Sequence, residues 1–290
     1  MAITKAVITA AGLGTRLLPA TKEIPKEMVP VYARGASGSL VLKPILQVIF
    51  EELFDAGVRE FCFVVGRGKR AIEDHFTPDY GFVDYLRERG KLDAARELEE
   101  FYRRVEGSTM VWVNQPEPRG FGDAVLRARP FVGAEPFIVH AGDTLVYPPN
   151  RGSYVSALAE VFEGRGGAGA LLVKEVERPE LYGVVVPGPR SGRALLVSRV
   201  VEKPREPPSR LAVVPVYAFD PLIFKALERL RPSERGEVEL TGAIQSVIDW
   251  GFEVWALPLS PSQTWLDVGT PETYWAALER SRALSSGERE

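Results

Sequence analysis

Two glycines, an arginine and two lysines near the amino terminus have the types and spacing of a polyphosphate grip. The run reads Ala10-Ala11-Gly12-Leu13-Gly14-Thr15-Arg16 and continues Leu18-Pro19-Ala20-Thr21-Lys22-Glu23-Ile24-Pro25-Lys26-Glu27-Met28. Successive N–H groups in a glycine turn form a nest for anionic oxygens, and Gly12 and Gly14 reach positive φ at little cost. Arg16, Lys22 and Lys26 then supply positive charge against a bound triphosphate. A glycine turn can also merely join a strand to a helix; the spaced cations favour the phosphate reading. The dinucleotide fingerprint is excluded because Leu17 stands where its third glycine belongs, and the P-loop because no Gly-Lys-Ser/Thr is present. Pro19 and Pro25 argue against a long helix after the turn, since each lacks a donor and restrains the residue before it.

Further along, Asn114-Gln115-Pro116-Glu117-Pro118-Arg119-Gly120 follows an apolar run. The planar amide of Gln115 offers one acceptor and two donors, a match for the imide edge of uracil or thymine. Gly120 leaves room for a base against the backbone. His140-Ala141-Gly142-Asp143 sets a carboxylate just past another apolar run. Such an oxygen suits Mg²⁺, which binds one or two carboxylates together with phosphates. His75 and His140 are read as structural, so no histidine nucleophile is available.

The stretch Ala10–Pro30 resembles the signature of sugar-1-phosphate nucleotidyltransferases, and Lys22–Met28 is most similar to the bacterial and archaeal UTP–glucose-1-phosphate uridylyltransferases. The resemblance recurs in blocks along almost the whole chain. It implies nucleotide binding at Ala10, Ala11, Gly12, Gly14, Thr15, Arg16 and Lys26, and base recognition at Gln115 and Gly120. It implies sugar phosphate binding at Tyr182, Gly183, Glu202 and Lys203, with Val213–Tyr217 lining the sugar pocket. A second metal carboxylate, Asp267, follows from the Trp265-Leu266-Asp267-Val268-Gly269-Thr270 block. Glu237–Thr241 matches another family block, read as structural or oligomer-related. The implied reaction is Mg²⁺-dependent uridylyl transfer from UTP to α-D-glucose 1-phosphate, with Arg16, Lys26, Asp143, Lys203 and Asp267 as the catalytic set. Relatives are commonly dimers or tetramers, which implies a homodimer or homotetramer.

Departures qualify the match, among them Pro215 where the family usually has glycine in the Val213–Tyr217 block. Asp123 stands where the bacterial uridylyltransferases have a histidine, and it is assigned no catalytic role. The 265–270 block resembles thymidylyl- and mannose-1-phosphate enzymes, so use of dTTP, alone or beside UTP, is the alternative. Residues 33–42 are an insertion, expected to reshape an edge of the active site. A catalytically silent sugar-nucleotide sensor is the non-enzyme alternative; retention of both metal carboxylates speaks against it.

These residues need elements to position them. The fold expected is a Rossmann-like three-layer α/β nucleotidyltransferase fold, with a mostly parallel mixed sheet and a small sugar-binding β portion. Strands are predicted at 3–9, 60–65, 110–113 and 137–140, alternating with helices at 46–56 and 121–129, so that ligands sit at the carboxyl ends of strands. Residues 87–104 read as a solvated surface helix. Short strands follow at 169–173, 182–186, 195–201 and 211–219, with turns at Pro187-Gly188-Pro189 and Pro207-Pro208. Helices return at 221–230, 240–250 and 271–284, the last capped by Thr270 before Pro271. One domain is expected over 1–284, with a nucleotide-binding half of about 1–150, a sugar-binding half of about 151–284 and a frayed tail at 285–290.

Composition bounds the rest. The 290 residues are 45% hydrophobic with a net charge of −3, which gives no global field for nucleic acid. No apolar run reaches the roughly 20 residues of a membrane span. The direct entry into the first strand leaves no room for a signal peptide, and Cys62 reads as a buried side chain, so a reducing cytoplasm is expected. With 2 Asn, 4 Gln, 23 Pro and 27 Arg against 9 Lys, the chain also reads as heat-adapted.

Overall fold

The computed structural model describes residues 3–147 and 152–286. The expected boundary near 150–151 and residues 287–290 of the expected tail lie outside the described residues. The chain opens with β1 (Lys5–Ala10), six buried residues. Three short 3-10 turns at 15–17, 20–22 and 26–28 then replace a helix, as Pro19 and Pro25 require. A hairpin of β2 (Pro30–Arg34) and β3 (Leu40–Pro44) precedes α1 (Ile45–Asp55) and β4 (Glu60–Val65). After these come α2 (Arg70–His75), α3 (Tyr80–Glu88), α4 (Leu92–Glu106) and β5 (Thr109–Asn114). The first half closes with α5 (Phe121–Arg127), α6 (Arg129–Val132), β6 (Phe137–Ala141) and β7 (Thr144–Tyr147). Beyond lie α7 (Ser153–Arg165), β8 (Gly169–Glu175), β9 (Gly183–Ser191), β10 (Ala194–Glu202) and β11 (Leu211–Phe219). The remaining elements are α8 (Leu222–Arg229), α9 (Leu240–Asp249), β12 (Val254–Pro258), β13 (Thr264–Asp267) and α10 (Pro271–Ser286).

Nine strands form one sheet in the order β5-β4-β1-β6-β11-β8-β12-β10-β9. Strands β5, β4, β1 and β6 are parallel, the pattern expected of strands joined by helices. Past β6 the sheet is mixed: β11 is antiparallel to both its neighbours, β12 parallels β8, and β10 and β9 close the sheet antiparallel. Successive side chains face opposite layers, as the two-residue strand period demands. Ala6, Ile8, Phe61 and Phe63 pack with Ile49, Phe101 and Leu158 of α1, α4 and α7. Val7, Cys62 and Val64 pack on the other face with Val125, Phe224 and Ile244 of α5, α8 and α9. The three layers therefore follow from apolar runs long enough to be covered on both sides. Phe50 anchors one layer, its ring 4.8 Å from Phe61 and 5.2 Å from Phe76. Burial of one such side chain contributes about 1.5–3 kcal/mol.

Several expectations change. Pro187-Gly188-Pro189 is no turn: it lies within β9, at the sheet edge, where two register shifts against β10 absorb the missing donors. The charged stretch 87–104 is broken at Gly90, with φ of 71°, into two helices. Its second part, α4, buries Ala95, Phe101, Tyr102 and Val105, so it is a covering helix rather than a solvated one. The helix predicted over 121–129 ends at Arg127, and a separate short helix, α6, starts at Arg129 with Pro130 in its first turn. At the carboxyl end, Ser285 and Ser286 continue α10 instead of fraying, and Ser285 is buried with Oγ donating to Tyr32 O at 3.4 Å. Thr270 caps that helix as expected, its Oγ1 accepting from Thr273 N at 3.2 Å.

The inserted segment extends β2 and β3 outward. Ala36 N donates to both carboxylate oxygens of Glu97 in α4, at 2.6 and 2.8 Å, and Tyr32 N donates to Ser281 Oγ in α10 at 3.2 Å. The expectation that it reshapes the active site is not met: none of residues 33–42 lines either cavity described below. Among the described residues, no helix is long and apolar enough to cross a membrane.

Candidate active site

A cavity of about 470 Å³ opens beyond the carboxyl ends of β1 and β6. Every residue assigned to the nucleotide lines it except Ala10. Ala10 is the last residue of β1 and faces the core; Thr9 and Ala11 line the cavity instead, by the alternation of the strand. The turn is shaped as its glycines suggest. Gly14 has φ of 66°, and its carbonyl accepts from Thr21 Oγ1 at 2.7 Å. A Cβ on Gly12 would lie 3.3 Å from Lys26 Cε, so the absent side chain lets the Lys26 stem cross the turn. Lys22 does not join the site: it is 77% exposed and pairs with Glu23 at 3.5 Å, outside the cavity.

Beside the turn the chain brings together two acids far apart in sequence. Gly142 N donates to Thr9 O at 2.9 Å, and a Cβ there would come within 2.8 Å of the same oxygen. Glycine at 142 therefore lets the β6 end close on β1 and sets Asp143 against the glycine turn. Asp267 arrives by a separate route: β13 pairs antiparallel with β7, with Asp267 opposite Thr144, and Val268 N donates to Asp143 O at 3.1 Å. Lys26 Nζ forms a hydrogen-bonded ion pair with Asp143 Oδ2. Arg16 lies against Gly269, whose missing Cβ would sit 2.9 Å from a guanidinium nitrogen.

The charges couple accordingly. Burial and the Asp143 carboxylate push Asp267 up to about 6, against the pull of Lys26, Arg16 and Lys203. Burial works to lower the Lys26 ammonium, but Asp143, Glu27 and Asp267 outweigh it and hold it above its ordinary value. Asp143 and Asp267 present hard oxygens whose mutual repulsion a divalent cation would relieve. Among the described residues no third acid, histidine or cysteine joins them, so further ligands would have to come from phosphate oxygens and water.

A second cavity of about 570 Å³ adjoins the first, and Arg16, Phe121 and Glu237 line both. Tyr182, Gly183, Glu202, Lys203 and Asp267 line the second, with Val213, Pro215 and Tyr217 of β11. Cross-strand pairing sets Gly183 opposite Glu202, and Lys203 N donates to Tyr182 O at 3.0 Å. A Cβ at 183 would meet Thr241 Cγ2 at 2.8 Å, so glycine allows Thr241 Oγ1 to donate to Glu202 Oε2 at 3.0 Å. Lys203 adopts φ of 40°, the left-handed region that side chains avoid. Glu239 Oε1 and Trp265 Nε1 are buried without a partner, and both residues line this cavity. A polar occupant with hydroxyl groups would satisfy such atoms.

Gln115 lines the first cavity, but both its donors are spent: Nε2 donates to Gly120 O at 3.2 Å and to Asp123 Oδ2 at 2.8 Å. Gly120 has φ of 105°, and a Cβ there would lie 2.8 Å from Val238 O. Glycine is thus demanded by the backbone and by the 237–240 segment packed over it, beyond any room for a base. Several site residues escaped the sequence reading. Glu237 and Glu239 belong to a block read as structural, although acids opposite a Glu-Lys pair could have signalled a polar pocket. Glu27 is buried beneath the cavity and pairs with Lys69 at 2.8 Å; burial raises its carboxyl. No local pattern links residues 27 and 69. His75, His140 and Cys62 are all withdrawn from chemistry: burial pushes both histidines down to about 4 and the thiol up to about 12.

Comparison with known proteins agrees with this geometry. The family described as nucleotidyl transferase matches residues 5–283. A UTP–glucose-1-phosphate uridylyltransferase of Bacillus subtilis strain 168 is 39% identical over 249 residues, covering 84% of this chain and 80% of the relative. A UTP-bound UGPase from Acinetobacter baumannii superposes with a TM-score of 0.82 at 30% identity, covering 98% of this chain and 96% of that one. A UDP-glucose pyrophosphorylase complexed with UDP-glucose gives a TM-score of 0.81 at 28% identity, covering 99% and 100%. With its phosphate turn, paired acids and adjoining polar cavity all carried on the matched residues, the chain belongs to the nucleotidyl transferase family.

Proposed function

We propose that this nucleotidyltransferase transfers the uridylyl group of UTP to α-D-glucose 1-phosphate, giving UDP-glucose and pyrophosphate. The observation that carries the reading is the junction of two cavities at Asp143, Asp267, Lys26 and Arg16. The relatives named as uridylyltransferases and pyrophosphorylases support the choice of substrates. A phosphate oxygen of the sugar phosphate attacks the α-phosphorus in line, and the bond to the β-phosphate oxygen breaks. A phosphate monoester is largely dianionic at pH 7, its second pKa being about 6, so no general base is required. Positioning and charge neutralisation do the work.

In this reading the amides of Ala11, Gly12, Gly14 and Thr15 hold the β- and γ-phosphates with Arg16. Lys26 meets the α-phosphate, and Lys203 the attacking phosphate. Gln115 and Gly120 face the base, while Tyr182, Gly183 and Glu202 hold the sugar. Asp143 and Asp267 would hold Mg²⁺, which would supply positive charge to neutralise phosphate oxygens. Lys26, paired with Asp143, would give up that partner to meet the α-phosphate. Use of dTTP is a second reading, favoured by the Trp265–Thr270 segment; one methyl group discriminates by only about 1–3 kcal/mol. Pyrophosphate release with UTP or dTTP and glucose 1-phosphate tests both. The highest kcat/KM is expected with UTP, and release with neither nucleotide would reject the enzyme reading of these substrates.

A further inference from the structure

The hydrogen bonds around Gln115 point to a role for Asp123 that the sequence did not suggest. Gln115 follows β5 and is 5% exposed; Asp123 stands in the first turn of α5 and is 7% exposed. The two meet through Gln115 Nε2 and Asp123 Oδ2 at 2.8 Å, and the second Nε2 hydrogen goes to Gly120 O at 3.2 Å. Asp123 Oδ1 is engaged in turn by the Arg127 guanidinium at 3.5 Å. A carboxylate paired with arginine and a backbone carbonyl can only accept. The Gln115 amide therefore has one permitted orientation. Turning it over would set Oε1 against two acceptors and leave both hydrogens unpaired.

We propose that Asp123 is a positioning residue that fixes the Gln115 amide, so that only an acceptor is offered to the base. With both hydrogens committed, the group left over is Oε1, to which nothing donates among the described residues. An acceptor in that place selects a ring N3–H, which uracil and thymine carry. Cytosine at neutral pH presents a lone pair at N3, so the same oxygen repels it. Without Asp123 the amide is freer to turn and to offer a donor to cytosine. This makes Asp123, rather than the bare presence of a glutamine, the source of uracil-over-cytosine choice. The proposal rests on the reading that Gln115 faces the base.

The test is kcat/KM for UTP, dTTP and CTP with glucose 1-phosphate, in the wild type and in Gln115→Ala, Asp123→Ala, Asp123→Leu and Asp123→Asn. Alanine leaves a space and leucine fills it, so at least one apolar variant should keep the fold, which a thermal melt reports. Losing the lock is expected to lower the UTP-over-CTP ratio roughly 10- to 100-fold, mainly through a higher KM for UTP. UTP and dTTP should change together, because their imide edges are the same. Asp123→Asn can still accept from Nε2 and should keep most of the ratio, which a merely structural role would not predict. A folded Asp123→Ala or Asp123→Leu enzyme with the wild-type ratio, beside a Gln115→Ala enzyme that has lost it, overturns the lock alone. An unchanged ratio in Gln115→Ala overturns the base-site reading and the lock with it.

Discussion

Lys26 and Asp143, 117 residues apart in the chain, form a direct ion pair at the mouth of the glycine turn. The pair places the ammonium proposed to meet a phosphate and the acid proposed to hold a metal within one hydrogen bond. Each stabilises the other, so neither stands as an uncompensated charge in a half-buried site.

Removing either partner should separate catalysis from folding. Lys26→Ala and Asp143→Asn are expected to lower kcat about 10²–10³-fold, the usual loss for one preorganised electrostatic contact. Both should remain folded, since the glycine turn, β1 and β6 keep their backbone bonds. Pyrophosphate release and a melting curve on the same preparation check the pair of outcomes. Near-normal turnover in either variant would remove that residue from the mechanism.

Asp267 should show the opposite signs for stability and activity. Its folded pKa of about 6 lies above the ordinary 3.8, so the ionised form is disfavoured by folding and stability falls as pH rises between those values. Above pH 6 the metal-free Asp267→Asn protein should be more stable than wild type by about 1–2 kcal/mol, discounted for the carboxylate's partial solvent access. Its turnover should nevertheless fall about 10²–10³-fold. Adding Mg²⁺ with UTP should raise the wild-type melting point by mass action and leave the variant's nearly unmoved. Denaturant titration with a chelator present reads the first, pyrophosphate release the second, and melting curves with and without Mg²⁺ and UTP the third.

Lys203 combines an ammonium proposed to meet the sugar phosphate with an unfavourable backbone. At φ of 40° a β-carbon is strained, so Lys203→Gly should be more stable than Lys203→Ala by about 1 kcal/mol, reversing the usual order. Both lose the ammonium and should be equally impaired, with a raised KM for glucose 1-phosphate. Melting points of the two variants, with initial rates against sugar phosphate, decide it. An alanine variant as stable as the glycine one would show that the backbone is not strained there.

Acid sensitivity should trace partly to His140. The ring is fully buried between Ala141 O at 2.8 Å and Tyr154 Oη at 3.0 Å, and burial pushes it down to about 4. In the unfolded chain it takes a proton near 6.5, so the stability it contributes is complete above that value and is lost as pH falls toward 4. Between pH 7 and 4.5 this amounts to about 2–3 kcal/mol. His140→Gln should be less stable at pH 7 yet have a shallower loss on acidification. Urea denaturation at both pH values measures the difference in slope, and parallel slopes would assign the acid loss elsewhere.

What could be read from residues alone was local. Apolar runs such as Phe61–Val65 dictated buried strands, the prolines at 19 and 25 barred a helix after the phosphate turn, and Thr270 before Pro271 announced a helix start. Gly12, Gly14, Arg16 and Lys26 raised the expectation of a phosphate site, because nest geometry and charge depend on a few neighbouring residues, and all four line one cavity. Relations between distant segments had no such signature. Tertiary structure alone decided that β13 pairs with β7 and so brings Asp267 to Asp143, that Lys69 reaches Glu27, and that Lys22 stays in solvent. It also turned Asp123 from a bystander into the partner of Gln115, since a side chain's hydrogen-bond partners are fixed by packing. The physical reason is common to these cases: backbone preference acts over a few residues, whereas a charge or an amide responds to whatever the whole fold carries within a few ångströms.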